Sequence, residues 1–265
     1  HKCCILAYGQ TGSGKTFTIG GPDGVVARSV AHLWRLREVS REGGQEEIPN
    51  SGKTDFGKSA SLEGWRMWVS AVEILNEQVV DLLAAERHAM LKEREREKER
   101  EKLREKEGKD PIPNVVNLAT AVHWAAWDDN EPSIHDLVQR PHRDAANGVD
   151  APGHVLRIRH GQHGTYVTHT LRATADTPEA ILGVLRGALA RRATAATNSN
   201  ATSSRSHAIV QIHVAKRGMN GELAYGKLTL ADLAGSERAA PARTAGARLV
   251  EAGHINRSLS TLGEV

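Results

Sequence analysis

Apolar positions come in short runs whose spacing alternates between strand-like and helix-like. Ile5-Leu6-Ala7-Tyr8 predicts the end of a buried strand, and a helix opens at Lys15-Thr16, continues to Ile19 and stops at Gly20-Gly21-Pro22. Over 25–38, Val26, Val30, Leu33, Leu36 and Val39 recur at helical spacing. Residues 40–64 are polar, with Gly, Ser, Lys and Pro among them, and predict a flexible loop. Over 65–76 the pattern becomes two-fold, with Met67, Val69, Ala71 and Glu73 set against Trp68, Val72 and Ile74. That predicts a strand, with a short helix expected over 76–83.

Residues 84–153 break the pattern and read as an insert. Basic and acidic residues alternate strictly over 92–102, which on a helix sets opposite charges at i,i+3 but like charges at i,i+4. A solvated arm or charged helix is expected there, and 111–154, with Trp124 and Trp127 among Pro, Asp, Asn and His, is expected to be mostly loop. Two short strands follow at 155–159 and 166–171, joined by a turn at Gly161-Gln162-His163-Gly164. Thr177-Pro178-Glu179 carries the signature of a helix start, and the helix runs through Ile181, Leu182, Leu185 and Leu189 towards Ala195. Strands are again expected over 208–214 and 227–231.

The first strand runs into Gly9-Gln10-Thr11-Gly12-Ser13-Gly14-Lys15-Thr16, which has the spacing of a phosphate-binding loop. Glycines let backbone N–H groups curl around an anion, and a helix N-terminus adds partial positive charge. In such a loop Lys15 reaches the β- and γ-phosphates and the Thr16 hydroxyl binds Mg²⁺. Gly52-Lys53-Thr54 repeats only the end of the motif; Glu47 stands where the first glycine is needed, so it is read as loop.

The 265 residues suffice for one large α/β domain. A formal net charge of +3 gives no indication of a nucleic-acid binder, though a local basic patch for an acidic partner is compatible with it. Cys3 and Cys4 are the only cysteines and are adjacent, so there is no disulfide framework. No apolar run is long enough to span a bilayer and no signal peptide is present, so a reducing, cytosolic setting is expected. His160 and His163 lack companion ligands at metal-binding spacing.

Two further stretches sit at strand ends. Asn200-Ala201-Thr202-Ser203-Ser204-Arg205-Ser206-His207 is a dense hydroxyl-plus-Arg run before a strand, suited to closing on a γ-phosphate and Mg²⁺. Asp232-Leu233-Ala234-Gly235 ends the strand over 227–231 with a carboxylate and then a glycine, as a metal shell and a phosphate sensor require.

Together these three stretches and Ile255-Asn256-Arg257-Ser258-Leu259 resemble the kinesin motor domain, as does Val69 to Asn76 with Glu77 and Asp81-Leu82-Leu83. The resemblance spans the chain outside 40–64 and 84–153. It implies an α/β P-loop NTPase fold, a three-layer sandwich around a central, mostly parallel sheet, with 1–265 forming a partial motor domain. The family's elements on either side are not within these residues, so the strand before Gly9 is expected at an exposed edge. Ser199, Arg191 and Arg257 stand where the family usually has Met, Asn and Lys.

The resemblance also implies roles. Gly9, Gln10, Thr11, Gly12, Ser13, Gly14 and Lys15 would cradle ATP, with Phe17 against adenine. Thr16 and Ser204 would hold Mg²⁺, and Asp232 would reach it through water. Gly235 would sense the γ-phosphate. Arg205 and Glu237 would form the ion pair that closes the site, with Glu237 relaying a proton from water ordered by Asn200 and Ser203. Residues 238–250 resemble the second switch loop and 251–265 the relay helix, so Arg238, Arg243, Arg248, Asn256 and Arg257 are candidate contacts to microtubules. The function implied is a microtubule-stimulated ATPase motor in the cytoplasm, on the cytoskeleton. The alternative is a microtubule-binding relative without efficient turnover. A GTPase reading is disfavoured because no Asn-Lys-x-Asp sequence occurs.

Overall fold

The computed structural model describes residues 1–42, 65–106, 122–126, 156–161, 164–198, 204–217 and 222–237. A seven-stranded sheet forms the centre. In spatial order it runs β1 (Lys2–Ala7), β9 (Leu223–Asp232), β8 (His207–Arg217), β2 (Trp65–Leu75), β7 (Leu171–Ala175) and β4 (Val122–Ala126), with β3 (Gln78–Asp81) also paired to β2. β5 (Ile158–Gly161) and β6 (Gly164–Val167) make a separate two-stranded sheet.

The expectation of a mostly parallel sheet is corrected. β1 and β9 run parallel, and every other described pairing is antiparallel. The reason is connectivity: β8 to β9 and β2 to β3 are joined by short links, and antiparallel neighbours need no helical crossover. The parallel pair matters most for function. Its register sets Ala7 opposite Asp232, so the phosphate-loop strand and the Asp232 strand end side by side.

Four helices, α1 (Lys15–Gly20), α2 (Val25–Glu42), α3 (Leu82–Lys106) and α4 (Pro178–Asn198), cover one face. The two-residue period of the strands turns Met67, Val69 and Ala71 of β2, Ala208, Val210 and Ile212 of β8 and Leu230 of β9 towards them. These join Val30, Leu83, Ile181, Val184 and Leu185 in one core, where burying each large apolar side chain contributes roughly 1.5–3 kcal/mol. On the opposite face Trp68 and Ala215 pack with Leu223 and Tyr225. The helix expected over 251–265 lies outside the described residues.

Local differences have local causes. The short helix expected over 76–83 is instead a hairpin turn and a strand: Asn76 and Glu77 take φ of 50° and 63°, the conformation of a tight two-residue turn. Asp81 then caps α3, its Oδ1 accepting from Leu83 N–H at 2.8 Å, and its Oδ2 accepts from Leu171 N–H of β7 at 2.6 Å. Part of 84–153 belongs to the fold. α3 buries Leu82, Leu83, Glu86, Arg87 and Met90 in its first turns before its charged end emerges into solvent. β4 joins the sheet within the stretch expected as loop, with Val122 and Trp124 buried. The run over 166–171 splits at a turn where His169 has φ 55° and Thr168 exchanges hydrogen bonds with the Arg157 backbone, and β7 follows. The start of α4 is as expected, with Thr177 Oγ1 accepting from Ala180 N–H at 3.2 Å. β1 ends the sheet with Ile5 and Leu6 exposed. Among the described residues no helix is long and apolar enough to cross a membrane.

Candidate functional site

β1 delivers the phosphate loop beside the end of β9, and backbone bonds fix the two together. Leu233 N–H donates to Ala7 O at 3.2 Å and Ser236 N–H to Gly9 O at 3.1 Å. Gly12 and Gly14 hold φ of 80° and 88°, the left-handed region where a side chain is strained. Lys15 Nζ is folded over the loop and donates to the carbonyls of Gly9 and Gln10, each at 2.8 Å. Phe17 is 73% exposed, so its ring is available for stacking; with Thr16 and Asp232 it borders a cavity of about 420 Å³ between α1 and α4.

Beneath the loop lies a buried polar cluster. Asp232 Oδ2 accepts from the Thr16 hydroxyl at 2.6 Å and from Arg192 Nη1 at 2.8 Å. The same guanidinium donates through Nε to Glu73 Oε1 at 3.1 Å and through Nη2 to the Ser206 carbonyl at 2.9 Å. Ser206 Oγ in turn donates to Glu73 Oε1. Among the described residues nothing donates a hydrogen bond to the buried Asp232 Oδ1, which is uncommon for a carboxylate oxygen. Next to it His207 Nδ1 accepts from Ala234 N–H at 3.1 Å, so that nitrogen carries no proton. Burial, then the Arg192 charge, lower the His207 pKa against the opposing pull of Asp232.

The two strand-end stretches meet at the loop. Gly235 N–H donates to Ser204 O at 2.8 Å. Glu237 Oε2 accepts from Thr11 N–H at 2.8 Å, and its Oε1 accepts from the Thr11 hydroxyl. A Cβ at Gly235 would come within 2.4 Å of both Glu237 Oε2 and Thr11 Oγ1, so a side chain there would displace this contact. Burial by itself would raise the Glu237 pKa. The Thr11 hydrogen bonds and the Lys15 charge reverse that and hold it below the usual range, so the carboxylate is anionic. Arg205 is half-buried between Ser204 and Ser206.

Of the residues expected from sequence, Gly9 to Phe17, Ser204, Arg205, Asp232, Gly235 and Glu237 are described and gather here. Asn200, Ser203, Arg238, Arg243, Arg248, Asn256 and Arg257 lie outside the described residues. Arg192 and Glu73 were missed, and Ser206 was read only as a member of the hydroxyl-rich run over 200–207. The signal was present: Glu73 continues the inward series Met67, Val69, Ala71, and Arg192 continues Ile181, Leu185, Ala188. Two opposite charges at core-facing positions require partners inside.

The donor set fits Mg²⁺. It combines hydroxyls at Thr16 and Ser204 with a carboxylate at Asp232, all hard oxygen donors, and Oδ1 of that carboxylate is buried and uncommitted.

A family model described as the kinesin motor domain matches residues 1–123 and 130–265. Kinesin-like protein 2 of Schizosaccharomyces pombe is 30% identical over 270 residues, which is all of this chain and 23% of that protein. Kinesin-like protein KAR3 of Saccharomyces cerevisiae is 30% identical over 271 residues, all of this chain and 27% of that protein. Among solved structures, the motor domain of Saccharomyces cerevisiae KAR3 aligns at TM-score 0.58 and 26% identity, covering all of this chain and 55% of the other. The C-terminal motor and motor homology domain of Kar3Vik1 aligns at TM-score 0.60 and 27% identity, covering 100% and 48%. The chain therefore spans about a quarter of these curated relatives and about half of these solved chains. The shared fold is the P-loop NTPase α/β fold.

Proposed function

The chain belongs to the kinesin motor domain family, a family of microtubule motors, and from that premise we propose that it binds and hydrolyses Mg-ATP and couples the cycle to microtubules. The observation that carries this reading is the meeting of Ser204, Gly235 and Glu237 at the phosphate loop: Gly235 N–H on Ser204 O, and Glu237 on Thr11.

Each group has a task. Lys15 exchanges the Gly9 and Gln10 carbonyls for the β- and γ-phosphates, which are better acceptors for an ammonium. Thr16 and Ser204 would hold Mg²⁺ through their hydroxyls, with Asp232 reaching it through water. The chemistry that Mg²⁺ supplies when bound is neutralisation of charge shared by the β- and γ-phosphates. Gly235 turns its N–H from Ser204 O to the γ-phosphate. Glu237 leaves Thr11 for Arg205, closing the site, and as an anion accepts a proton from the attacking water that Asn200 and Ser203 order. Phosphoryl transfer needs little beyond such positioning and charge compensation. Arg238, Arg243, Arg248, Asn256 and Arg257 are the contacts proposed to the acidic microtubule surface, and the setting proposed is the cytoplasmic cytoskeleton.

The test is ATP turnover by the full-length protein with and without microtubules. Stimulation is expected; its absence overturns the motor reading in favour of a filament-binding relative without turnover. Glu237→Ala is expected to lower kcat on the order of 10²-fold or more while retaining nucleotide affinity. Unchanged turnover in that variant removes the proton-relay mechanism.

A further inference from the structure

We infer that Arg192 is a positioning residue for the metal-facing carboxylate, oriented by Glu73 and Ser206 so that Asp232 keeps one oxygen clear for the hydrated cation. The inference rests on the nucleotide reading above and adds to it a residue outside the phosphate loop and outside the two strand-end motifs.

The two oxygens of Asp232 are used differently. Both donors, Thr16 Oγ1 and Arg192 Nη1, engage Oδ2, at 2.6 and 2.8 Å. Oδ1 engages none among the described residues, although it is buried. Two donors on one oxygen fix the carboxylate plane and leave the lone pairs of the other for water bound to a cation. An arginine suits this task because its planar fork offers several donors in fixed directions. Here Nε goes to Glu73, Nη2 to the Ser206 carbonyl and Nη1 to Asp232, so the direction of Nη1 is set by its other contacts. A lysine at this position supplies charge without that geometry.

Charge points the same way. Counted formally, Glu73, Arg192 and Asp232 sum to one negative charge in a region where the arginine and aspartate side chains are 2% and 5% exposed. A buried net anion favours a cation beside it. The cluster also reaches the stretch before β8 through the Ser206 carbonyl. Ser206 is two residues from Ser204, whose carbonyl receives Gly235 N–H.

The experiment is titration of a fluorescent ATP analogue against the full-length protein at increasing Mg²⁺ and in EDTA, with thermal unfolding recorded alongside. For Arg192→Lys, the Mg²⁺ concentration giving half-maximal binding is expected to rise on the order of tenfold, as for other groups that orient a metal ligand, while affinity in EDTA changes by less than about threefold. Glu73→Gln, which loosens the orientation of Arg192 but keeps the shape, is expected to shift the Mg²⁺ requirement the same way by less. An unchanged Mg²⁺ requirement in folded Arg192→Lys overturns the inference, as does an equal loss of affinity with and without Mg²⁺, which marks a purely structural role. If Arg192→Lys does not fold, Glu73→Gln decides by the same criterion. If the unsubstituted protein shows no Mg²⁺-dependent nucleotide binding, the nucleotide reading itself falls and takes this inference with it.

Discussion

The two faces of the sheet bury polar groups in opposite ways. On the helix-covered face, Asp232, Arg192 and Glu73 form a charged network, and one carboxylate oxygen is left uncommitted. On the other face, Trp68, His213 and Tyr225 form a neutral stack. Trp68 and His213 lie 5.3 Å apart with planes 8° off parallel, and His213 Nδ1 is 2.7 Å from the Tyr225 hydroxyl. Burial, reinforced by the charges of Lys227 and Arg172, pushes the His213 pKa down to about 3, so this cluster is uncharged across the physiological range. β2 and β9 contribute to both clusters. The lesson is that a buried charged network suits a site that must receive a charged ligand, whereas a neutral aromatic cluster suits permanent packing.

The contrast can be broken by exchanging the kind of effect each side shows. Trp68→Ala is expected to have the largest energetic effect, a loss of about 3–5 kcal/mol of stability from a buried aromatic, with unchanged Mg²⁺ dependence of nucleotide binding in the folded fraction. Denaturant unfolding and nucleotide titration check the two halves of that statement. Asp232→Asn should show the reverse, a drop in turnover on the order of 10²-fold, about 3 kcal/mol in barrier, with little change in the unfolding midpoint. A large stability loss there would erase the distinction between the faces.

The smallest expected effect is in pH. The folded-state pKa of His213 lies below the ordinary value of 6.5, so below pH 6.5 the unfolded chain takes up a proton that the fold refuses until about pH 3. The contribution is fully present above pH 6.5 and declines as pH falls towards 3. Between pH 7.5 and 5.5 the loss is about 1.4 kcal/mol. His213→Phe keeps a ring in the stack and should lose that part of the acid sensitivity, measured as the difference between urea midpoints at the two pH values. An identical pH difference in the variant would show that the neutral cluster is not the source.

Much of the site was legible because its chemistry is local. The spacing from Gly9 to Thr16 fixes a loop whose glycines adopt positive φ, and Asp232 and Gly235 lie at a strand end within four residues of each other. The charged turn-and-strand at 76–81 was misread as helix because Asn76 and Glu77 signal a turn only through their backbone conformation. β4 was missed because a five-residue edge strand carries too short a pattern to stand out among polar neighbours.

By itself the sequence determined the phosphate loop, the order of the strand-end motifs and the family they belong to. These are properties of neighbouring residues, and the backbone needs only a few positions to express them. Tertiary structure decided the sheet's mixed directions and the convergence of Glu73, Arg192, Ser206 and Asp232. Those residues are separated by up to 159 positions along the chain, and nothing in their spacing states that β2, α4 and β9 meet. Their pairing follows from burial: charged groups turned into one core must find one another, and only the packed fold brings them within reach.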